Sequence, residues 1–384
     1  MFDVNRYMPI LRWKRAEKIA LRHLQPADRA LMTPLIELVP TNFKPGRQGS
    51  EADPATVLER EAKEIAKDWG TTPFLIDFEH VEECIASIRG FAHPLECLSD
   101  HATKQGLRLV PVTGLSRGNA YQSAVRRIAS NGTGTCFRFS WQETLRPEFR
   151  DSLPDLAKRL RTGHEAVDLV LDYKVFDQSA PPLNVTISRI PHVDSWRTVT
   201  FACGAFPPDL QEFTPGRHTI DRADWLTYRN QIRSPRRLPR APAFSDYTVQ
   251  YGLYKEPPAH SNPSASIRYA LDEKWVIMRG EGIFNEDGPG REQYIANATL
   301  LCESDDFYGS NFSYGDSYTY DVSQGVEGHG SPETWIRAGI NHHMTVTCRQ
   351  VAGFCDSLDN DAPRRASGRI LHAPAARNIS TRGA

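Results

Sequence analysis

The strongest constraint on the fold is a regular alternation of short apolar segments with longer charged stretches over roughly the first 250 residues. The apolar segments are rich in β-branched and aromatic residues, which is typical of buried strands, and the charged stretches have the apolar spacing of amphipathic helices. Eight strands are predicted, at residues 7–13, 32–39, 73–77, 108–113, 135–139, 167–172, 197–202 and 243–247. Helices are predicted at residues 16–24, 55–69, 119–130, 154–160 and 222–233.

The spacing of these strands favours a parallel barrel. Successive strands begin 25, 41, 35, 27, 32, 30 and 46 residues apart, which is enough for a strand, a helix and two loops but too long for hairpins. A doubly wound open sheet is the alternative, but no predicted strand is followed by the Gly-x-Gly-x-x-Gly turn of a dinucleotide-binding fold. We therefore predict an α/β protein whose residues 5–260 form a TIM-like (β/α)₈ barrel.

The segments after the barrel are predicted to cover its mouth. The predicted elements are a hairpin at residues 267–271 and 275–278, a helix at 292–302 and a second helix from about 331 to 356. Residues 305–331 contain five glycines together with Ser, Asp and Tyr, which predicts a long loop over the barrel mouth. Residues 261–356 are assigned to this C-terminal extension and residues 357–384 to a flexible basic tail.

Composition excludes several classes of protein. The 384 residues are 40% hydrophobic, and 46 Lys and Arg balance 47 Asp and Glu, which excludes a disordered chain and a uniformly basic nucleic-acid binder. Any nucleic-acid surface must therefore be a local patch, and the basic run at residues 233–240 is interpreted as a solvated linker. The seven cysteines never form Cys-x-x-Cys, which argues against disulfide and zinc sites. Without a signal peptide or a membrane-spanning run, the sequence predicts a cytoplasmic protein that contacts no membrane.

Charged residues end or interrupt several of the predicted strands, and active sites of barrel enzymes lie at the C-terminal ends of their strands. These residues are Lys14, Glu37, Asp77, Arg138, Asp172 and Asp246. Because an isolated buried charge is costly, each of these groups must be paired, hydrated or bound to a metal. We interpret the six as catalytic residues that converge on the barrel mouth, while structural ion pairs at the strand ends are the alternative.

The carboxylates among these residues suggest a metal site. Glu37, Asp77 and Asp172 would hold Mg²⁺ or Mn²⁺, because hard divalent cations prefer oxygen ligands, or would act as acid and base. Lys14 and Arg138 would then neutralise a phosphate-containing substrate. No organic cofactor is expected.

Residues outside the strands are predicted to complete the same site. His342 and His343 are adjacent on a predicted helix, so they diverge by about 100° and cannot easily share one metal, but either is a candidate acid or base. Asp316 and Asn341 are candidates for substrate binding beneath a lid formed by the Gly-rich segment. Trp13 is a candidate for stacking on a base, although tryptophan is more often a core residue. The alternative is that Asn341 and the histidines only cap and pack the last helix.

Segments near both ends of the sequence resemble the beta family proteins, or beta proteins, of bacteria and phages. Residues 7–14 (YMPILRWK) and 33–37 (TPLIE) resemble the opening of that family, and its closing motifs are similar to residues 312–316 (FSYGD), 334–335 (TW) and 339–345 (GINHHMT). The resemblance extends from about residue 7 to about residue 355. It implies a phage-related or defence-like genomic context, with no reaction attached. It gives more weight to the residues within these motifs, which are Lys14, Glu37, Asp316, Asn341, His342 and His343.

The sequence leaves two functions open. The first is a divalent-metal-dependent hydrolase of phosphate esters that acts on nucleic acid or nucleotides. The second is a non-catalytic protein that recognises a phage or host component, or a protein partner in a defence system, through a barrel without catalytic residues. The charged mouth favours the first function. The absence of established motifs for nucleoside triphosphatases, zinc proteases and serine hydrolases favours the second. An enzyme requires Glu37, Asp77 and Asp172 to converge, whereas a binding protein allows them to form separate ion pairs.

Overall fold

The computed structural model describes residues 5–44, 53–85, 88–234, 238–256, 258 and 260–361. Its strands are β1 (Met8–Arg12), β2 (Leu35–Glu37), β3 (Phe74–Asp77), β4 (Leu109–Thr113), β5 (Thr135–Ser140), β6 (Val167–Val175), β7 (Thr198–Gly204), β8 (Gly216–Asp221), β9 (Ala243–Asp246), β10 (Ile267–Ala270) and β11 (Lys274–Arg279). Strands β1 to β7 and β9 pair in parallel in sequence order, and β9 pairs with β1 to close an eight-stranded barrel. The predicted (β/α)₈ fold is confirmed.

The described helices surround the barrel or belong to the C-terminal extension. They are α1 (Arg15–Arg22), α2 (Pro26–Ala30), α3 (Pro54–Asp68), α4 (Pro94–Lys104), α5 (Asn119–Ala129), α6 (Trp141–Leu145), α7 (Phe149–Leu160), α8 (Leu183–Ile187), α9 (Ala223–Ile232), α10 (Gln293–Cys302), α11 (Tyr314–Ser323) and α12 (Pro332–Asp361). Helix α7 begins five residues before the predicted start at Pro154, because Phe149 and Leu153 extend its buried face. None of the helices in the described ranges is both long and apolar enough to cross a membrane.

The barrel interior is apolar at one end and charged at the other. Buried apolar side chains fill its lower part, among them Ile10, Leu35, Leu75, Cys136 and Val170. Successive residues of a strand point to opposite faces, so the next inward positions lie two residues further along each strand. Those positions are Arg12, Glu37, Asp77, Arg138 and Asp172. The alternation of the strands therefore brings five charged residues to the C-terminal mouth of the barrel.

Helix α12 occupies the position of the eighth outer helix of the barrel. Its residue Phe354 packs on Trp225 and Tyr228 of α9, and its Asn341 donates a hydrogen bond to the Ala20 carbonyl of α1 at 2.9 Å.

The chain between β9 and α12 forms a separate small unit. There β10 and β11 form the predicted hairpin, and β8, which was not predicted as a strand, joins β11 in an antiparallel sheet. The division of the chain at residue 260 stays a prediction.

The prediction of one long loop over residues 305–331 is wrong, because helix α11 occupies residues 314–323. The Ser313 side chain accepts a hydrogen bond from the Asp316 amide at 3.2 Å and so caps this helix. Gly315 lets α11 approach α12 closely, since a Cβ at this position would lie 2.2 Å from the Ala338 carbonyl oxygen. The predicted tail also begins later than expected, because α12 extends to Asp361. Residues 362–384 lie outside the described ranges.

Candidate active site at the barrel mouth

The guanidinium of Arg138 lies at the centre of the barrel mouth, and three carboxylates converge on it. Its Nη1 donates to Glu37 Oε1 at 2.7 Å and to Asp77 Oδ2 at 2.9 Å, and its Nε donates to Asp172 Oδ2 at 2.8 Å. Its Nη2 donates to the Tyr247 hydroxyl at 2.8 Å, and that hydroxyl donates to Asp172 Oδ2 at 2.7 Å. All five side chains are buried. The structure thus brings together four of the predicted site residues, with three carboxylates around one cation.

Pairing with this guanidinium helps to keep Glu37 and Asp172 ionised. Burial raises the pKa of Glu37, but Arg138 and a hydrogen bond with His80 outweigh it, so the pKa lies well below its usual value. Burial likewise raises the pKa of Asp172, and the nearby Lys174 and Arg138 lower it by more. Direct contact with cations is therefore what compensates for the cost of removing these carboxylates from water.

Lys174 and Glu79 form an outer ion pair above this cluster. Lys174 Nζ donates to Glu79 Oε2 at 2.9 Å and lies 3.3 Å from Asp172 Oδ2. Lys174 has a φ of 57°, in the left-handed region, directly after Asp172 and Tyr173. Its carbonyl oxygen lies against Gly252, where a Cβ would be only 1.8 Å from it. Any side chain at residue 252 would consequently displace the Lys174 backbone.

His80 and Arg117 connect the inner carboxylates to the other side of the mouth. His80 Nε2 lies 3.3 Å from Glu37 Oε2, on the carboxylate oxygen that Arg138 does not bind. Arg117 Nη2 donates to Asp77 Oδ1 at 2.7 Å, and its Nη1 lies 3.3 Å from Glu82 Oε2. Each of these inner carboxylates therefore has one oxygen on Arg138 and the other on a group nearer the solvent.

A cavity of about 570 Å³ opens above these side chains, between the loops that follow β3, β4, β5 and β6. Its walls contain the carboxylates of Glu79, Glu82, Glu83, Glu143 and Asp172. The cationic side chains in the walls are those of Arg117, Arg138 and Lys174. Acidic groups outnumber basic ones, so an anionic ligand requires an additional cation to enter the cavity favourably.

One group of possible metal ligands lies in this mouth among the described residues. Glu37, Glu79 and His80 offer three ligand atoms within 4.8 Å of one another. Two carboxylates and an imidazole are suitable ligands for Mn²⁺ or Mg²⁺. The predicted set of Glu37, Asp77 and Asp172 is arranged differently, because the Arg138 guanidinium already lies between those three carboxylates.

Asp246 and His343 lie outside the barrel, between its wall and α12, which corrects the prediction that they belong to the mouth. Asp246 Oδ2 contacts His343 Nε2 at 2.8 Å, and its Oδ1 accepts hydrogen bonds from the Tyr7 hydroxyl at 2.5 Å and the Thr248 amide at 2.9 Å. Tyr247, the next residue, points into the barrel, so the alternation of the strand turns Asp246 outward. This buried pair joins the barrel wall to α12.

Asp316 and His342 form a second buried pair, beneath the small sheet. Asp316 Oδ2 contacts His342 Nδ1 at 2.8 Å, and Asp316 Oδ1 accepts a hydrogen bond from the Tyr269 hydroxyl at 2.6 Å. His342 Nε2 lies 2.8 Å from the Ala270 carbonyl oxygen. Asn341 accepts a hydrogen bond from the Gly315 amide at 3.1 Å. These contacts pack α11 and α12 together, which corrects the prediction that Asp316, Asn341 and His342 complete the mouth beneath a lid.

Trp13 and Lys14, at the end of β1, differ in their access to the mouth. Trp13 is 0% exposed and packs under the Lys18 ammonium, so it cannot stack on a ligand, contrary to its predicted role. Lys14 lies at the rim, where its Nζ is 5.1 Å from the centre of the Tyr254 ring, which is itself 5.0 Å from the His80 ring. Burial lowers the pKa of Lys14. The structure thus places Lys14 beside the mouth and not at its floor.

Several residues of the mouth were missed by the sequence analysis. Glu79 and His80 follow Asp77 by two and three residues, and Lys174 follows Asp172 by two. Their positions in the loops directly after strand ends are a signal that could have identified them. Arg12 had a different signal, because it is the inward residue two positions after Ile10, and its Nη2 donates to the Tyr251 carbonyl oxygen at 2.7 Å.

The buried acid Asp224, near Asp246, leads to a testable pH dependence. Burial, and then the charge of Asp246, raises the pKa of Asp224 to about 7. Because the unfolded chain releases this proton near pH 4, the group's contribution to stability is full below about pH 4 and is lost as the pH rises to 7. We expect Asp224→Asn to remove this loss. The difference in free energy of unfolding, variant minus wild type, should therefore rise by about 1–3 kcal/mol between pH 5 and pH 8.

Urea unfolding at these two pH values measures the effect of Asp224→Asn. The exposed Asp209 provides a matched control, since Asp209→Asn should leave the pH profile unchanged. Parallel profiles for Asp224→Asn and the wild type would show that Asp224 is ionised in the folded protein at both pH values.

Comparison with known proteins adds one finding. A family model described as Beta protein matches residues 7–349. The matched range includes every strand of the barrel, the charged mouth and most of α12. Among curated proteins, none matches the sequence.

Proposed function

The chain belongs to the Beta protein family, and we propose that its barrel mouth is the active site of a divalent-metal-dependent hydrolase of phosphate esters. The observation that carries this proposal is the group formed by Glu37, Glu79 and His80, whose ligand atoms lie within 4.8 Å of one another beside the mouth cavity. Carboxylate and imidazole ligands favour Mn²⁺ or Mg²⁺. When bound, such an ion would polarise a phosphoryl oxygen and offset its charge.

The charges around this group support a substrate that is anionic and metal-bound. The cavity walls are acidic overall, so a phosphate ester alone would be repelled, whereas its complex with a divalent cation would not. Lys174 and Arg117 border the same cavity and would neutralise the remaining phosphate charge. Burial raises the pKa of Glu79, but Arg138 and Lys174 lower it by more, so this carboxylate is available as an anionic ligand.

The inner cluster would act through these outer groups. Arg138 holds Glu37 by one oxygen and leaves Oε2 directed at His80. Asp172 and Glu79 together hold the Lys174 ammonium. Arg138 and Asp172 are therefore positioning residues in this proposal, and their rigid contacts fix the geometry of the groups that would meet the substrate.

A specific observation favours a second candidate, a non-catalytic binding protein that recognises a phage or host component or a partner of a defence system. The three inner carboxylates are all bound by Arg138, as in a structural ion-pair network. In that case the mouth would serve as a charged recognition surface, and catalysis would be absent. Metal binding and hydrolysis distinguish the two candidates.

The test of the hydrolase proposal is a substitution of one ligand. We expect wild-type protein stripped of metal by a chelator to bind Mn²⁺ in calorimetry and to hydrolyse bis(4-nitrophenyl) phosphate when Mn²⁺ is restored. Glu79→Gln should weaken Mn²⁺ binding by about 10–100-fold and reduce hydrolysis at least as much, because an amide is a poorer ligand than a carboxylate. The melting temperature should change little, since Glu79 is partly exposed.

The control for this substitution is Glu148→Gln, at an exposed glutamate outside the cavity walls, which should match the wild type in both assays. If the wild type binds neither Mn²⁺ nor Mg²⁺ and hydrolyses none of a panel of phosphodiesters, nucleotides and oligonucleotides, the binding-protein candidate replaces the hydrolase.

A further inference from the structure

A second cavity adjoins the mouth along helix α7. It has a volume of about 720 Å³ and is lined by Leu115, Ser152, Asp155, Lys158 and Arg159. Leu115 belongs to the loop after β4, whose neighbouring residues 114 and 116–118 line the mouth cavity. One loop therefore forms a wall of both cavities, and the second cavity continues the first onto the outer surface of the barrel.

A third cavity lies at the C-terminal ends of helices α5 and α7. It has a volume of about 270 Å³, and its walls include Arg126 and Arg127 from the end of α5 and Arg161 from the end of α7. Ser130 and Thr162 add hydroxyl groups, and none of the described residues that line this cavity is acidic. Guanidinium and hydroxyl donors are the usual surroundings of a phosphate group.

We name Arg126, Arg127, Lys158, Arg159 and Arg161 the basic track. Four of these five side chains are exposed, and Arg126 is partly exposed. Arg127 pairs with Glu96, whereas the other four form no ion pair with an acidic side chain among the described residues. Basic residues at the C-terminal end of a helix interact favourably with its dipole, and all five residues lie at such ends. The dipole accounts for their place along each helix, but it does not account for the meeting of the two helix ends, which brings three arginines to one cavity.

We propose that the basic track binds the sugar-phosphate backbone of a single-stranded nucleic acid whose phosphodiester enters the barrel mouth. The proposal rests on the proposed hydrolase function and names its substrate class. Helices α5 and α7 begin at the mouth, with the loops after β4 and β5, and end at the arginine-lined cavity. A strand that leaves the mouth beside Arg117 would therefore pass the second cavity and reach the cations at the ends of both helices.

The shape of the mouth favours a single strand over a duplex. Arg138 is 8% exposed and Glu37, the innermost of the possible metal ligands, is 1% exposed, so these two groups lie well below the surface. The backbone of a rigid duplex meets buried groups less readily than one unpaired strand, whose phosphates and bases can enter a charged cavity separately. The overall charge of −1 is compatible with this binding mode, because the cations are concentrated locally.

The test measures the binding of a fluorescein-labelled oligothymidylate by fluorescence anisotropy. The buffer contains a chelator, and the salt concentration is varied. The triple variant Lys158→Gln/Arg159→Gln/Arg161→Gln should bind about tenfold or more weakly at 50 mM salt. The slope of log affinity against log salt should become shallower by about 2, since each lost phosphate contact on a single strand contributes about 0.7. Arg126→Gln/Arg127→Gln, on the other helix, should change the slope in the same direction.

The matched control is the triple variant Arg217→Gln/Lys274→Gln/Arg291→Gln, which removes three exposed cations from the other part of the chain and should bind like the wild type. If both triple variants bind oligothymidylate with the same affinity and the same salt dependence, the basic track is not the binding site. Equally tight binding of polyglutamate would overturn its assignment to nucleic acid.

Hydrolysis of the small ester separates this proposal from the proposed function. The track variants should hydrolyse bis(4-nitrophenyl) phosphate at the wild-type rate, because that ester is too small to reach α7. Hydrolysis of the ester without oligonucleotide binding would refute the substrate class and leave the hydrolase. Salt-dependent oligonucleotide binding without any metal-dependent hydrolysis would refute the hydrolase and leave the basic track.

Discussion

Replacing Arg138 by methionine should lower the free energy of unfolding by about 3–5 kcal/mol at pH 7, because it leaves buried carboxylates without their cation. Glu37, Asp77 and Asp172 are each at most 2% exposed, and all three bind this one guanidinium. Methionine keeps the length of the side chain, so the expected loss reflects charge more than packing. Chemical denaturation at pH 7 measures it directly.

The pH dependence of this loss identifies its cause. In the wild type, the pKa values of Glu37 and Asp172 are lowered, so their stabilisation is present above about pH 4 and is lost as the pH falls through the lowered values. Without Arg138, burial raises these pKa values, and the variant then loses stability as the pH rises from about 4. We therefore expect the difference between Arg138→Met and the wild type to be largest at neutral pH and smaller near pH 4.

The exposed ion pair of Arg127 and Glu96 provides the control for Arg138→Met. Arg127→Met removes a guanidinium whose side chain is 52% exposed, so it should cost less than about 1 kcal/mol. If the loss of stability in Arg138→Met is equally small, or does not change with pH, then water and not Arg138 offsets the cost of burying the three carboxylate charges.

Asp316→Ala should destabilise the protein by a comparable amount, about 3–5 kcal/mol. The Asp316 carboxylate is 0% exposed and accepts hydrogen bonds from Tyr269 at 2.6 Å and from Ser313 at 2.5 Å, and it contacts His342 at 2.8 Å. Alanine removes the shared acceptor of the small sheet, α11 and α12 and leaves their polar groups buried. Thermal and chemical denaturation measure the loss.

Mn²⁺ binding at the barrel mouth distinguishes this structural role of Asp316 from its predicted role in substrate binding. Asp316→Ala should retain the Mn²⁺ affinity of the wild type, because none of the described contacts of Asp316 reaches the mouth. The control is Asp321→Ala on the same helix, whose carboxylate makes only a 3.4 Å contact with Ser317 and should cost little. Loss of Mn²⁺ binding in folded Asp316→Ala protein would instead support the predicted role of Asp316 in the functional site.

The barrel and part of its mouth could be predicted because both depend on local pattern. The apolar runs identify the strands, and the charges within them identify Glu37, Asp77, Arg138 and Asp172. The same pattern was read incorrectly at Asp246, because a strand end supplies residues to both faces. Only the inward direction of Tyr247 shows that Asp246 faces α12.

The remaining features depend on contacts between distant residues. The position of the Arg138 guanidinium between three carboxylates requires the register of four strands, and the ion pair of Lys174 with Glu79 joins loops 95 residues apart. Helix α11 is weakly amphipathic and depends on its cap at Ser313 and its packing on α12. Such contacts leave no periodic signal in the sequence.

The position of α12 as the last outer helix has a consequence for biosynthesis. Asn341 and Ala20, which are joined by a hydrogen bond, lie 321 residues apart, so the wall around β1 is completed only when residues near 341 have left the ribosome. Until then, a nascent chain exposes the outer face of β9, with Asp246 lacking His343. Contacts this distant in sequence slow folding. Chains truncated before residue 332 should therefore depend on chaperones to remain in solution, even though they contain all eight strands of the barrel.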